Sequence, residues 1–94
     1  MWCVYKTQSL SIKETYIGIK KCKQGETTPE ILKSIAKIPY ACKKRISQQP
    51  DSTTEILYIR DNKKEVYALR KKERERIHYP CIRIIPKEIT ISFK

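Results

Sequence analysis

The sequence contains few of the residues that build glycine-rich loops and membrane segments. Of its 94 residues, two are glycine, one is phenylalanine and one is histidine. Two glycines are too few for the loops that cradle phosphates in nucleotide-binding proteins, and one phenylalanine argues against the RNA-recognition fold with its Gly/Phe-rich signature. The longest uncharged stretch is six residues. We therefore expect neither an export signal nor a membrane-spanning segment.

Acidic residues are scarce relative to basic ones. The chain has 21 Lys and Arg against ten Asp and Glu, a net charge of +11, and 39% of its residues are hydrophobic without any low-complexity tract. This composition predicts one small folded domain that spans residues 1–94. Basic residues exceed acidic ones in both halves of the chain, so the excess is not a detachable tail. A charge of this size favours polyanionic partners.

The four cysteines, Cys3, Cys22, Cys42 and Cys81, do not form a Cys-x-x-Cys pair. Without an export signal we expect an intracellular location, cytoplasmic or nuclear, with four free thiols of which at least two are buried. Two alternatives stay open. Four thiolates would be enough to bind zinc tetrahedrally, and a secreted chain of this size would use them in a disulfide framework.

Two helices are predicted in the first half of the chain. The first covers residues 29–38, with Thr27 or Thr28 as the N-cap, and Glu30 closes a capping box onto Thr27. A second, shorter helix is predicted at about residues 40–48. Both lie between segments that are rich in β-branched and aromatic residues.

Strands are predicted over most of the rest of the chain. They cover residues 2–6, 14–20, 54–60, 64–69, a segment between Pro80 and Pro86 that contains Ile82, Ile84 and Ile85, and 88–93. Asp61-Asn62-Lys63 is predicted to form a hairpin turn. Residues 70–78 fit either an extension of that hairpin or a basic helix. The sequence therefore predicts an α+β fold with a mainly antiparallel sheet of about five to six strands and one or two helices on one face.

Basic residues concentrate in three clusters that follow or interrupt structured elements. The candidate phosphate contacts are Lys20, Lys21 and Lys23 in the first, Lys43, Lys44 and Arg45 in the second, and Arg70, Lys71, Lys72, Arg74 and Arg76 in the third. Two clusters on one surface would follow a phosphate backbone without sequence specificity. Glu73 and Glu75 lie within the third cluster, so we expect the second cluster to contribute more per charge. Six tyrosines lie among these charges and are candidates for base stacking.

The tripeptides Cys3-Val4-Tyr5 and Tyr16-Ile17-Gly18 lie on the first two predicted strands and are separated by ten residues. They resemble the two tripeptides that lie side by side on the paired strands of the GIY-YIG nuclease family. Residues 42–46 resemble the family's first-helix segment with its arginine. Residues 68–73 resemble its later helix with a glutamate.

The GIY-YIG resemblance implies a phosphodiesterase and assigns four catalytic roles. Tyr5 and Tyr16 would orient and activate a water, Arg45 would stabilise the phosphate, and Glu73 would hold one divalent metal ion. Attack on a phosphodiester needs these components. Apart from this alternative, no metal site or cofactor is predicted.

The two predicted helices are followed by the 55–69 hairpin and by the segment 75–79, which contains Arg76, His78 and Tyr79. This order resembles that of the small ribonuclease toxins of the RelE superfamily. The resemblance implies that these three residues contact an mRNA phosphate. The sequence thus favours a small basic protein that binds DNA or RNA. A small nuclease and a factor that binds an acidic protein or a ribonucleoprotein remain alternatives, and the sequence does not decide whether the protein is an enzyme.

Overall fold

The computed structural model describes residues 1–81, which form three strands and three helices. In chain order these are β1 (Trp2–Ser9), β2 (Glu14–Lys21), α1 (Thr28–Ala36), α2 (Ala41–Ser47), β3 (Thr53–Arg60) and α3 (Lys63–Arg76). The strands predicted at residues 82–85 and 88–93 lie outside the described residues. Within residues 1–81, no helix combines the length and the apolar character that crossing a membrane requires.

The three strands form one antiparallel sheet in the order β2-β1-β3. The β1–β2 hairpin aligns Tyr5 with Gly18. At the closed end of this hairpin, the Asp51 carboxylate accepts hydrogen bonds from the Ser9 hydroxyl (2.6 Å) and the Ser11 amide (2.9 Å). These bonds favour the ionised carboxylate and lower the pKa of Asp51.

The two faces of the sheet carry different helices. Successive strand residues point to opposite faces, so Val4 and Tyr5 belong to different sides of β1. Tyr5 packs with Ile31 and Ile35 of α1, whereas Val4 packs with Val66 of α3. The central strand is therefore buried on both sides, with α1 and α3 on opposite faces.

The α+β class is confirmed, but the predicted sheet of five to six strands and the placement of helices on one face are wrong. Within residues 1–81 the sheet has three strands, and residues 64–69, predicted as a strand, belong to α3. The predicted hairpin turn is a helix start, because the Asn62 side chain accepts hydrogen bonds from the amides of Lys64 and Glu65. The Lys, Glu, Ala, Leu and Arg residues that follow are good helix formers.

The first two helices agree with the prediction. Thr27 caps α1, with the capping box to Glu30 in place. Helix α2 covers Ala41–Ser47 and buries Cys42 and Ile46.

The expectation of four free thiols is wrong for one pair. Cys42 on α2 forms a disulfide with Cys81, which follows α3, whereas Cys3 and Cys22 are free and buried. Residues 1–81 contain no group of three or more His, Cys, Asp or Glu side chains that could hold a metal ion.

Candidate nucleic-acid interface

One side of α3 carries a row of cations and a tyrosine. Lys63, Tyr67, Arg70 and Arg74 are spaced by four, three and four residues. At 100° per residue this spacing places all four on the same side of the helix, over an axial length of about 17 Å. Val66 lies on a neighbouring side and is fully buried against the sheet. The row therefore borders the core and faces outward.

Aromatic rings lie between the cations of this row. The Lys63 ammonium lies 4.9 Å from the centroid of the Trp2 ring and 5.7 Å from that of Tyr67. The Arg70 guanidinium lies 5.1 Å from the Tyr67 centroid, and the Lys21 ammonium lies 5.8 Å from that of Trp2. We call these five residues the cation–aromatic stripe. Each such contact at an exposed site contributes only about 0.5–1 kcal/mol.

The stripe joins the first and third basic clusters. Lys21 at the end of β2 pairs in register with Trp2 on β1, and Trp2 also contacts Lys63 at the start of α3. Lys21 and Lys23 are exposed, whereas the Lys20 ammonium donates to the Lys21 carbonyl at 3.1 Å. Lys21 of the first cluster therefore shares a surface with α3, whereas Lys20 pairs in register with Cys3 and lies on the other face of the sheet.

At its other end the row of α3 cations reaches the edge strand β2. The Arg74 guanidinium donates to the Ile17 carbonyl at 3.1 Å. Desolvation, followed by repulsion from Arg70, lowers the pKa of Arg74. Both arginines act to lower the pKa of Tyr16, but burial outweighs them and raises it. Arg70 and Arg74 therefore make this edge of the sheet electropositive.

Four glutamates of the described residues form ion pairs, and all four pair with cations that do not belong to the stripe. The ion pairs among residues 1–81 are Lys6–Glu55, Arg45–Glu14, Arg60–Glu65 and Arg76–Glu73. Arg70, Lys71 and Lys72 are in none of the ion pairs of this described part of the chain. Their charge remains open to an external anion, while Arg76 would first exchange Glu73 for a phosphate.

The second basic cluster does not project from the surface as a unit. Lys43 is only 2% exposed, and its ammonium donates to the Ala36 carbonyl at the end of α1 (3.1 Å). Desolvation lowers the pKa of this ammonium. Arg45 forms a bidentate pair with Glu14, at 2.8 and 2.9 Å, and of the three only Lys44 is exposed. The structure therefore does not support the expectation that this cluster contributes more to phosphate binding per charge than the third cluster.

Two of the four residues implied by the GIY-YIG resemblance are neighbours. The ring centroids of Tyr5 and Tyr16 lie 6.0 Å apart, and Gly18 leaves room for both rings, because a Cβ there would lie 2.5 Å from Tyr5 Cζ and 2.8 Å from Tyr16 Cε2. Tyr5 is fully buried, and its hydroxyl has no hydrogen-bond partner within residues 1–81. Desolvation and repulsion from Tyr16 raise the pKa of Tyr5, so its proton is held firmly.

Glu73 does not lie with these tyrosines, whereas Arg45 is held on their side of the sheet by its pair with Glu14. Glu14 lies two residues before Tyr16 in β2 and so shares its face of the sheet. Glu73 is on α3, across the sheet, where its carboxylate accepts hydrogen bonds from the Tyr58 hydroxyl (2.9 Å) and Arg76 (3.2 Å).

Glu73, the residue that the resemblance assigns to a divalent metal, already accepts hydrogen bonds from Tyr58 and Arg76. The described part of the chain holds no group of three or more His, Cys, Asp or Glu side chains that could bind a metal ion. A metal at Glu73 would therefore have to displace these donors and take most of its oxygen ligands from water or phosphate.

The residues implied by the RelE resemblance lie at the opposite end of the sheet from Trp2. Arg76, His78 and Tyr79 line a cavity of about 270 Å³ beside the β1–β2 hairpin. The Tyr79 carbonyl accepts the Thr15 amide at 2.7 Å, and the Lys13 ammonium lies 5.9 Å from the Tyr79 ring centroid. This site holds one cation–aromatic contact where the stripe holds four.

Sequence reasoning missed Trp2 and Lys63 as members of the interface. The available signal was the spacing of Lys63, Tyr67, Arg70 and Arg74, which becomes visible only once residues 63–76 are assigned to a helix. Nothing in the local sequence indicates that Trp2 contacts Lys63.

Comparisons of this chain with protein-family models, with curated proteins and with solved structures found no match.

Proposed function

We propose that this protein is a small basic nucleic-acid-binding protein that contacts the phosphate backbone without reading sequence. The observation that carries the proposal is the row of cations on one side of α3, Lys63, Arg70 and Arg74, which are in none of the ion pairs among residues 1–81. Lys63 and Arg70 also belong to the cation–aromatic stripe. Helix α3 holds seven basic residues and three glutamates, so it remains strongly positive after its local ion pairs are formed. Cations held on a rigid helix can follow a backbone of regularly spaced phosphates.

The location of the protein is a separate part of the proposal. An intracellular site, cytoplasmic or nuclear, provides the nucleic acid. The Cys42–Cys81 disulfide argues in the other direction, because disulfides are uncommon in reducing compartments. Thiol titration of protein isolated under conditions that block exchange decides between these two indications.

Salt-dependent binding tests the proposed function. We expect the full chain to bind DNA and RNA of unrelated sequences with dissociation constants on the order of micromolar at physiological salt. Affinity should fall linearly on a double-logarithmic plot as salt rises, because each phosphate contact releases counterions. Affinity that does not change with salt, or no binding at low salt, would overturn the proposal.

Two controls separate the alternatives. Poly-glutamate of similar charge tests binding to an acidic protein, and tighter binding of poly-glutamate than of nucleic acid at equal salt would favour the interaction factor. Incubation of the probe with Mg²⁺ tests the nuclease, and cleavage that disappears in Tyr16→Phe would favour that alternative. We expect an intact probe and weaker binding of poly-glutamate.

A further inference from the structure

The cation–aromatic stripe presents two aromatic rings to solvent, and phosphate binding does not require aromatic rings. Tyr67 is 44% exposed, and its ring lies between Lys63 and Arg70. Trp2 is half-buried and is the only tryptophan of the chain. A surface that bound only phosphate would need the cations and not the rings.

The alternation of rings and cations matches the chemistry of an unpaired strand. A single strand presents a phosphate and a base at each nucleotide, and its bases are free to stack on aromatic side chains. Stacking of a base on an aromatic ring is stronger than an exposed cation–π contact. A base can therefore displace Lys63 or Arg70 from the face of Tyr67, and the released cation can pair with the adjacent phosphate.

We propose that the cation–aromatic stripe binds single-stranded nucleic acid by stacking bases on Tyr67 and Trp2 while Lys21, Lys63 and Arg70 pair with phosphates. This inference rests on the proposed function and adds the strand class to it. A duplex keeps its bases stacked on one another, so it would meet only the cations. Single-stranded DNA and single-stranded RNA share this chemistry.

Substitutions of Tyr67 test the stacking contribution without altering charge. The probes are oligothymidylate and oligouridylate of about 12 nucleotides and a DNA duplex of the same length. Tyr67→Leu removes the ring and Tyr67→Phe keeps it. Tyr79→Leu is the matched control, because Tyr79 is 49% exposed and its ring makes one cation–π contact among residues 1–81, with Lys13. Retained circular dichroism and urea midpoints establish that each variant is folded.

We expect Tyr67→Leu to weaken binding to the single strands about tenfold, with less than about a twofold effect on the duplex. Tyr67→Phe and Tyr79→Leu should bind like the wild type. The salt slope should not change in any of the three variants, because each keeps every cation. Fluorescence from Trp2 should be quenched by the single strands and not by the duplex.

Three results would overturn the stacking inference while leaving the proposed function intact. They are equal wild-type affinity for single strands and duplex, equal losses in Tyr67→Leu on both, and loss of binding by Tyr67→Phe. Failure of the wild type to bind any probe at low salt would instead overturn the proposed function itself. Comparison of the thymidylate and uridylate affinities shows whether DNA or RNA is the preferred single strand.

Discussion

At the scale of single residues, Tyr5 is the clearest case of a buried polar group without a partner. Its ring fills the space above Gly18 between β1 and α1, and its hydroxyl is enclosed without a hydrogen-bond partner in the described part of the chain. Burying a hydroxyl in this way costs free energy. The ring contributes to the core, while the hydroxyl opposes folding.

Replacement of Tyr5 by Phe should therefore leave the protein as stable as the wild type or raise its free energy of unfolding by about 1 kcal/mol. The sign of the pH effect follows from the raised pKa of Tyr5. In the unfolded chain a tyrosine loses its proton at a pKa of about 10, whereas folded Tyr5 keeps its proton at that pH. The free energy of unfolding of the wild type is therefore unaffected by this group below pH 10 and falls as the pH rises past 10. The advantage of Tyr5→Phe should thus grow by about 1 kcal/mol between pH 8 and pH 10.5.

Urea denaturation of wild type and Tyr5→Phe at both pH values measures these differences. A loss of stability greater than about 1 kcal/mol in Tyr5→Phe at pH 8 would indicate that the hydroxyl has a favourable partner.

At the scale of elements, local signals predicted α1 and tertiary contacts decided α3. The capping box of Thr27 and Glu30 lies within four residues, so it can be recognised in the sequence. The segment Asp61-Asn62-Lys63 suits a hairpin turn as well as a helix start. What selects the helix is the burial of Val66 against the face of the sheet opposite α1, a contact that no local pattern reveals.

The candidate interface was predictable to a similar extent. The excess of basic charge and the third cluster could be identified from composition and sequence. The burial of Lys43 could not, because it depends on how α2 packs at the end of α1. The contact between Trp2 and Lys63 joins residues that are 61 positions apart in the sequence. Long-range packing therefore determined which cations reach solvent.

The N-cap of α3 gives a test at this scale. Asn62→Ala should lower the free energy of unfolding by about 1 kcal/mol, since the amides of Lys64 and Glu65 lose their acceptor. Asn62→Asp should retain the stability, because aspartate caps equally well and its charge suits a helix N-terminus. Urea denaturation followed by far-UV circular dichroism measures both variants. Equal losses in the two variants would contradict the capping role.

At the scale of the whole molecule, a disulfide links two segments that are far apart in the sequence. The Cys42–Cys81 disulfide joins α2 to the segment after α3, across a separation of 39 residues. The Glu14 and Arg45 ion pair lies beside it, since Arg45 also contacts Cys81 Sγ at 3.2 Å. The Cys81 amide donates a hydrogen bond to the carbonyl of Thr15 in β2 at 2.8 Å. The disulfide therefore restrains the position of α2 relative to β2.

Reduction of this disulfide should lower the free energy of unfolding by up to about 4 kcal/mol, the loop-closure contribution for a separation of this size. Cys42→Ser combined with Cys81→Ser should show the same loss and become insensitive to reductant, because Cys3 and Cys22 are free thiols. Urea denaturation with and without reductant provides the comparison. Identical wild-type midpoints under both conditions would show that the bond does not stabilise the fold.

The central claim is that the α3 side of the sheet is the binding surface, and two variants of equal net charge test it. One carries Gln at Lys21, Lys63 and Arg70, the cations of the cation–aromatic stripe. The other carries Gln at three exposed lysines of the α1–α2 region, Lys33, Lys37 and Lys44. A general electrostatic attraction to the whole molecule would weaken equally in both. A binding surface on the α3 side of the sheet would be affected only by the first.

The most direct measurement is the slope of log affinity against log salt for a single-stranded probe with these two variants. We predict that the stripe variant loses up to about three units of slope, one for each phosphate contact removed, and that the α1–α2 variant loses less than about one. Both variants must retain the wild-type circular dichroism spectrum. Equal losses of slope, or a larger loss from the α1–α2 variant, would contradict the claim.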